Sequence, residues 1–386
     1  MFRGVAARVR AELLEPDALA RSEGLAALLQ TLGPDDLEGV REGFQSIFLD
    51  LGATEQVLLA EWWAGFDPQG AFQWAHESWQ AEHPAIVATI LRAWARRDPS
   101  AAMAGAQVPN ADIQVQYTAA VLAGWEESGK PGLLEWVKSR PRGHERQQAI
   151  DVIARRKVLR EGAPAAFAWA EGLDDEDELF KLNVLRRVAS AAAQIDPGQA
   201  ARWAETLVGG EFGSGLPQRV GTRWARRDPE AALAWLSTLP PGQSRDDAVR
   251  ETFRRWIRSD GEAATAWIEK TPFAPWLDPA ASLMSRRLAG QDTPTALDWA
   301  RRITDPELRS YSVAVVARVW ATRDEPAARA WVDQSDLSPL IKRKIFEIPD
   351  HMRPGGLQRA ARGVKPVDPA SDSETGSDET VPQDLP

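Results

Sequence analysis

An aromatic residue returns through this chain at a nearly constant interval, and that interval limits the folds open to it. The clearest copy is WARRDPEAALAW, from Trp224 to Trp235. Its first aromatic is followed four residues on by Asp228, then by Pro229 and Ala232, and eleven residues on by the second aromatic. The first position falls at Trp63, Trp94, Trp125, Val158, Ala192, Trp224, Trp256, Leu288 and Trp320, at spacings of 31 to 34 residues. The second is Trp74, Trp136, Trp169, Trp203, Trp235, Trp267, Trp299 and Trp331, with Gly105 breaking the series. Fourteen of the 17 Trp thus stand in two columns, beside only 2 Tyr in the whole chain. Units of this kind are too small to bury their own apolar faces and must stack on their neighbours.

Each letter has a physical reason. Asp67, Asp98, Asp196, Asp228, Asp260, Asp292 and Asp324 stand where a helix should begin, and a carboxylate there accepts an orphan backbone N–H. Pro68, Pro99, Pro197 and Pro229 follow at the first helical position, where a missing N–H costs nothing. Ala71, Ala102, Ala200, Ala232, Ala264, Ala296 and Ala328 precede the second aromatic by three residues, on the same helical face. A small residue there lets a neighbouring helix approach while the indole fills the gap beside it. A second helix then runs into the next first-position aromatic: Val87, Ile90 and Leu91 form one apolar stripe with Trp94. The pattern predicts an all-α fold, an α-solenoid (a right-handed superhelix) of nine helix-turn-helix repeats of 31–34 residues. Its indoles are expected to be core, with truncation of one to Ala costing roughly 3–5 kcal/mol.

Three segments are expected. Residues 1–62 read as an N-terminal helical cap, with Leu25, Leu28, Leu29 and Leu32 at helical spacing before Gly33-Pro34-Asp35. Leu32, Asp36 and Val40 spell a worn copy of the unit. Residues 63–348 are the repeat region, and residues 349–386 an acidic tail expected to be disordered. Within it, residues 366–386 hold six acids and no base; removing them takes the net charge from −10 to −4. An acidic total argues against a general nucleic-acid binder. The absence of Cys excludes disulfides and thiolate chemistry. No stretch approaches the ~20 apolar residues of a membrane span, and Met1 to Arg10 lacks a signal-like apolar run. A cytoplasmic location is the expectation.

In general design the repeat resembles the tetratricopeptide and HEAT-type helical-hairpin families, over residues 63–348, as a bacterial variety of such repeats. The resemblance is architectural. The tetratricopeptide pattern wants Leu-Gly and a Tyr after its early Trp, and WARRDP and WATRDE offer neither. It implies a protein-binding scaffold, and no binding residue carries over.

Motifs with chemical potential have plainer readings. Gly124 to Lys130 (GWEESGK) imitates a phosphate-binding loop, but Pro131 replaces the magnesium-binding hydroxyl and no strand precedes it. Repeat spacing instead places Gly129 at a helix start. Asp174 to Glu178 (DDEDE) lacks calcium-loop spacing and suits the positive end of a helix. Gly209, Gly210, Gly213 and Gly215 read as a turn around Phe212. His76, His83, His144 and His351 form no HExxH pair. No catalytic, cofactor or metal residue is assigned.

Paired arginines recur as Arg96-Arg97, Arg155-Arg156, Arg186-Arg187, Arg226-Arg227, Arg254-Arg255, Arg286-Arg287 and Arg301-Arg302. Near helix C-termini they favour the dipole and are expected to pair with the next Asp; the alternative is a basic ridge for an acidic partner or phosphates. In that alternative the chain's own acidic tail could also occupy the ridge. Trp62, Trp79 and Trp276 escape the repeat, and off-pattern aromatics are common interface anchors. The candidate partner contacts are therefore Trp79, Trp276, Phe273, Arg96, Arg97, Arg226, Arg227, Arg254 and Arg255. The expected function is a non-enzymatic protein- or peptide-binding scaffold. Two other classes compete: a helical toroid enclosing an enzymatic or ligand cavity, and a phosphate-polymer binder using the arginine ridge.

Overall fold

The computed structural model describes residues 2–47, 52–79, 84–174 and 176–347, and their side chains except those of residues 2, 3, 78 and 79. These residues hold 22 α-helices and no β-strand. The expected tail, with His351, lies outside them, as do His83 and Asp175. Two compact units divide the chain, one ending at Thr271 and the other beginning at Pro272.

The first unit opens with α1 (Phe2–Leu13), α2 (Ala18–Gln30) and α3 (Leu37–Gln45), which bury Val9, Leu25, Leu29 and Val40 together. Helix pairs follow: α4 (Ala53–Ala64) with α5 (Pro68–Trp79), α6 (Pro84–Arg97) with α7 (Pro99–Gly105), and α8 (Ala111–Ser128) with α9 (Leu133–Ser139). Next come α10 (His144–Glu161) with α11 (Ala163–Glu171), and α12 (Glu178–Ile195) with α13 (Pro197–Leu207). The unit closes with α14 (Leu216–Trp224) and α15 (Pro229–Thr238), then α16 (Gln243–Ser259) and α17 (Gly261–Lys270). From α4 to α16, the first member of each pair packs on the first member of the next. Each second member from α5 to α15 wedges between its own partner and the following one.

The corner between the members of a pair is built by one aspartate, except at α8–α9 and α10–α11, where Gly132 and Gly162 stand before the second helix. At Asp98, Asp196, Asp228 and Asp260 the backbone N–H donates to the carbonyl four residues back, at Trp94, Ala192, Trp224 and Trp256, over 2.8–3.1 Å. The side chain accepts the N–H three residues on, at Ala101, Gln199, Ala231 and Ala263, over 2.9–3.0 Å. The aspartate carbonyl then accepts from Ala102, Ala200, Ala232 and Ala264. One residue thus closes one helix, caps the next and supplies its first carbonyl. Asp67 makes the same three bonds in the first unit, and Asp292 and Asp324 make them in the second.

The alanine four residues after each aspartate has no exposed surface at any of the seven positions. The indoles beside it are less uniform: Trp63, Trp94, Trp125, Trp203, Trp235, Trp256 and Trp299 are buried, and the other seven repeat-position Trp are half-buried. Paired indoles touch across the corner, with ring centroids 5.4 Å apart for Trp256 and Trp267 and 6.1 Å for Trp224 and Trp235. Other indoles reach back one pair: Trp203 donates to Glu171 at 2.6 Å and Trp235 to Glu205 at 2.8 Å.

Two departures have local causes. Gly105 stands where the second Trp belongs because the Trp94 ring already fills that space; a Cβ on Gly105 would lie 2.4 Å from it. The helix start expected at Gly129 is displaced to Gly132. Gly129 takes a left-handed backbone (φ 64) and terminates α8 instead, the usual role of glycine after a helix.

The second unit contains α18 (Asp278–Leu288), α19 (Thr293–Arg302), α20 (Pro306–Ala321), α21 (Glu325–Gln334) and α22 (Pro339–Phe346). Helix α20 packs on the other four. Buried Asp278 anchors the α19–α20 turn by accepting from Thr304 N–H, Thr304 Oγ1 and Asp305 N–H over 2.6–2.9 Å.

Asp228→Ala should lower the unfolding free energy by about 1 kcal/mol through the lost cap. Ala232→Leu should lower it by about 1–3 kcal/mol through overpacking. Urea unfolding of each variant beside the parent measures both.

Candidate functional site

The C-terminal parts of α12 and α16, and all of α14 with the turn after it, are unusual for a chain of negative net charge. No acid occurs in residues 183–195, 216–227 or 252–258, while arginine recurs in each. Arg223 on α14 is held by its Nε–H, which donates to Ser190 Oγ on α12 over 2.7 Å. On α12, Arg187 approaches Asp151 of α10 at 3.6 Å, and Arg155 pairs with the same carboxylate from one turn along α10. Arg223 lies within electrostatic reach of Arg226, Asp151, Arg155 and Arg255. Arg255 lies within reach of Arg226 and Arg258.

Of these six guanidinium groups, Arg155 and Arg187 pair with Asp151 and Arg223 lies within its reach. Among the described residues no ion pair reaches Arg223, Arg226, Arg255 or Arg258. Burial, and then the neighbouring like charges, hold Arg223 and Arg255 below the ordinary arginine pKa. Arginine nevertheless stays charged at neutral pH, so the mutual repulsion is a standing cost that a bound anion would remove.

A groove of about 380 Å³ adjoins this cluster. Val158 and Leu159 of α10 face Ala191, Gln194 and Ile195 of α12 across it, with Arg155 and Arg227 also in its lining. Leu159 and Ile195 are 64% and 53% exposed, unusually open for large aliphatic side chains.

Toward α6 the same helix layer is neutralised. Glu126 and Glu127 of α8 sit among Arg92 and Arg96 of α6 and Arg156 and Arg160 of α10. Arg160 meets Glu126 at 2.9 Å. Gly124 makes this close approach possible, because a Cβ there would fall 2.2 Å from the Arg92 carbonyl oxygen. Acids and bases alternate in this layer up to α10; beyond it the acids are confined to the N-terminal parts of α12 and α16.

The residues singled out from sequence are divided by the fold. Arg226, Arg227 and Arg255 lie at the arginine cluster or its groove. Arg254 turns away to Glu251, and Arg96 joins Glu61 and Glu127 in the neutralised zone. Arg97 donates to the Gly65 carbonyl of the preceding pair, as Arg323 does to Gly290 and Ala289 in the second unit. The expected pairing of doubled arginines with the next helix-start aspartate does not occur among the described residues. Arg97 and Arg323 instead reach back to the end of an earlier helix, where free carbonyls and the negative dipole are.

Phe273 and Trp276 belong to the second unit, where both are half-buried and not exposed anchors. The Trp79 side chain lies outside the described residues. Arg155, Arg187, Arg223, Arg258, Leu159 and Ile195 complete the face and were not among the candidates.

The remaining motifs are structural. Lys130 donates to the Arg97 carbonyl, and α9 after it has only seven residues. Asp177 caps α12 and pairs with Arg146 at 2.6 Å, while Asp174 pairs with Lys138 at 2.9 Å. His76 shares a 3.0 Å hydrogen bond with Tyr117 OH, and His144 contacts Gln148 at 2.7 Å. No helix of the described residues is long and apolar enough to cross a membrane.

Comparison with known proteins returns no matching family model, no matching curated protein and no matching solved structure.

Glu126→Ala would leave Arg160 without its carboxylate and unbalance Arg156. Denaturant unfolding should register a loss of about 1–2 kcal/mol, the scale of a lost charge-assisted hydrogen bond, because Arg160 is partly exposed and Arg156 keeps Glu127.

Proposed function

We propose that this chain is a non-enzymatic scaffold, a solenoid of helix pairs that binds another protein or peptide on the face of α10, α12, α14 and α16. The observation that carries the reading is a chain of six neighbouring guanidiniums, of which Arg155 and Arg187 pair with Asp151 while Arg223, Arg226, Arg255 and Arg258 have no ion pair among the described residues. Cations held close together with too few carboxylates between them are a preorganised complement to carboxylates on a partner. Such fields speed association and fix register more than they add raw affinity.

The stacking reading is supported by the order in which α4 to α16 lean on one another and by the fully buried alanine of each aspartate-cornered pair. Repetition of one unit extends a surface across several helices, as recognition of an extended segment requires. The phosphate-polymer reading draws on the same arginines but stands against a net charge of −10.

Affinity capture from the native host, with the full chain and its Arg226→Glu/Arg255→Glu variant as baits, tests the proposal. The expected result is a discrete protein held by the parent, released by raised salt and absent from the variant. A partner retained equally by both baits would reject this face, and recovery of nucleic acid in place of protein would reject the scaffold reading.

A further inference from the structure

The arginine cluster and the groove beside it differ in chemistry, and Arg155 belongs to both. Resting on the scaffold reading above, we infer that the ligand is an acidic peptide segment with a bulky aliphatic side chain. Its carboxylates lie over Arg223, Arg226 and Arg255, and its aliphatic side chain enters the groove between Leu159 and Ile195.

Charge complementarity selects the first half of this ligand. The C-terminal halves of α12 and α14 contain arginines and no acid, and Arg226 and Arg258 are exposed with no ion-pair partner among the described residues. The planar fork of a guanidinium matches a carboxylate with two parallel hydrogen bonds. The groove selects the second half. Leu159 and Ile195 expose more than half their surface, and Val158 and Ala191 continue the apolar lining. A volume of about 380 Å³ accommodates one or two aliphatic side chains. Gln194 in the same lining offers both a donor and an acceptor to a peptide backbone.

A phosphate polymer fits less well. It brings nothing to desolvate Leu159 and Ile195, and the lining contains no aromatic ring on which a base could stack. Asp151, central among the arginines, would also repel a dense row of phosphates. A peptide can place its carboxylates apart and leave that position vacant. Adjacent helices pack 8–10 Å apart, so acids about three residues apart on an extended segment would meet arginines of successive helices.

Fluorescence anisotropy on the full chain tests this, with three labelled probes: a peptide of repeated Glu-Glu-Leu, its Glu-Glu-Ser counterpart, and a single-stranded oligonucleotide of equal charge. The Glu-Glu-Leu peptide should bind about tenfold more tightly than Glu-Glu-Ser, the factor expected for one buried aliphatic side chain. Leu159→Ser with Ile195→Ser should erase that preference and leave Glu-Glu-Ser binding unchanged. Arg226→Glu with Arg255→Glu should weaken both peptides at least tenfold. These positions are exposed or half-buried, and circular dichroism confirms that each variant keeps its helices. Equal affinity for the two peptides, no peptide binding, or tighter binding of the oligonucleotide overturns the inference. A host protein captured by the parent but not by the Arg226→Glu/Arg255→Glu variant would still uphold the scaffold reading, so the two fail separately.

Discussion

A single aspartate at the corner of most pairs carries the architecture; only α8–α9 and α10–α11 turn on glycine instead. The aspartate's N–H finishes the helix behind it, its carboxylate caps the helix ahead, and its carbonyl starts that helix's own ladder. All three bonds span three or four residues, so the corner forms from local chain alone, with little loop entropy to overcome. Because the corner angle is set by backbone geometry, the alanine behind it always arrives at the same place, fully buried against the neighbouring helix. The indoles then fill what the alanine leaves open, and this is why they tolerate half-burial while the alanine tolerates no exposure.

Electrostatics follows the same columns. Side chains at equivalent positions of successive helices lie near one another, so the identity of a column decides whether charges cancel or accumulate. On α6, α8 and α10 the arginines have Glu126 and Glu127 between them, and the cluster is self-neutralised and partly buried. On α12 the corresponding stretch offers Ser190, Ala191 and Gln194, which hydrogen-bond or stay neutral but cannot cancel charge. The arginines of α14 and α16 are left facing one another. Accumulated like charge is costly in a protein of marginal stability, and its placement beside an open apolar groove gives both features one explanation, a surface completed by something else.

Helix boundaries, capping aspartates and buried alanines were legible in the sequence because each depends on residues three or four positions away. The face was legible only in part. Doubled arginines drew attention, yet two consecutive residues on a helix point roughly 100° apart, so Arg254 turns to Glu251 while Arg255 turns to Arg226. The more telling signal lay in residues 32 apart: Arg155 with Arg187, Arg223 with Arg255, and Arg226 with Arg258. Those spacings match the repeat period and forecast neighbours in space. What no spacing could supply was the absence of intervening acids once the helices had packed. The Arg97 and Arg323 contacts were hidden for a related reason, because their acceptors are backbone carbonyls that carry no letter of their own.

The glycine at position 105 leaves its pair with a single indole where its neighbours hold two, and with the seven-residue helix α7 in place of a longer one. Trp94 fills the volume, and Ala102, Ala106, Tyr117 and Val121 join it in one buried cluster across that junction. The missing indole is thus a lock and not a gap: any side chain at position 105 would have to displace the Trp94 ring, so the two helices are registered against each other by a residue that contributes no atoms of its own.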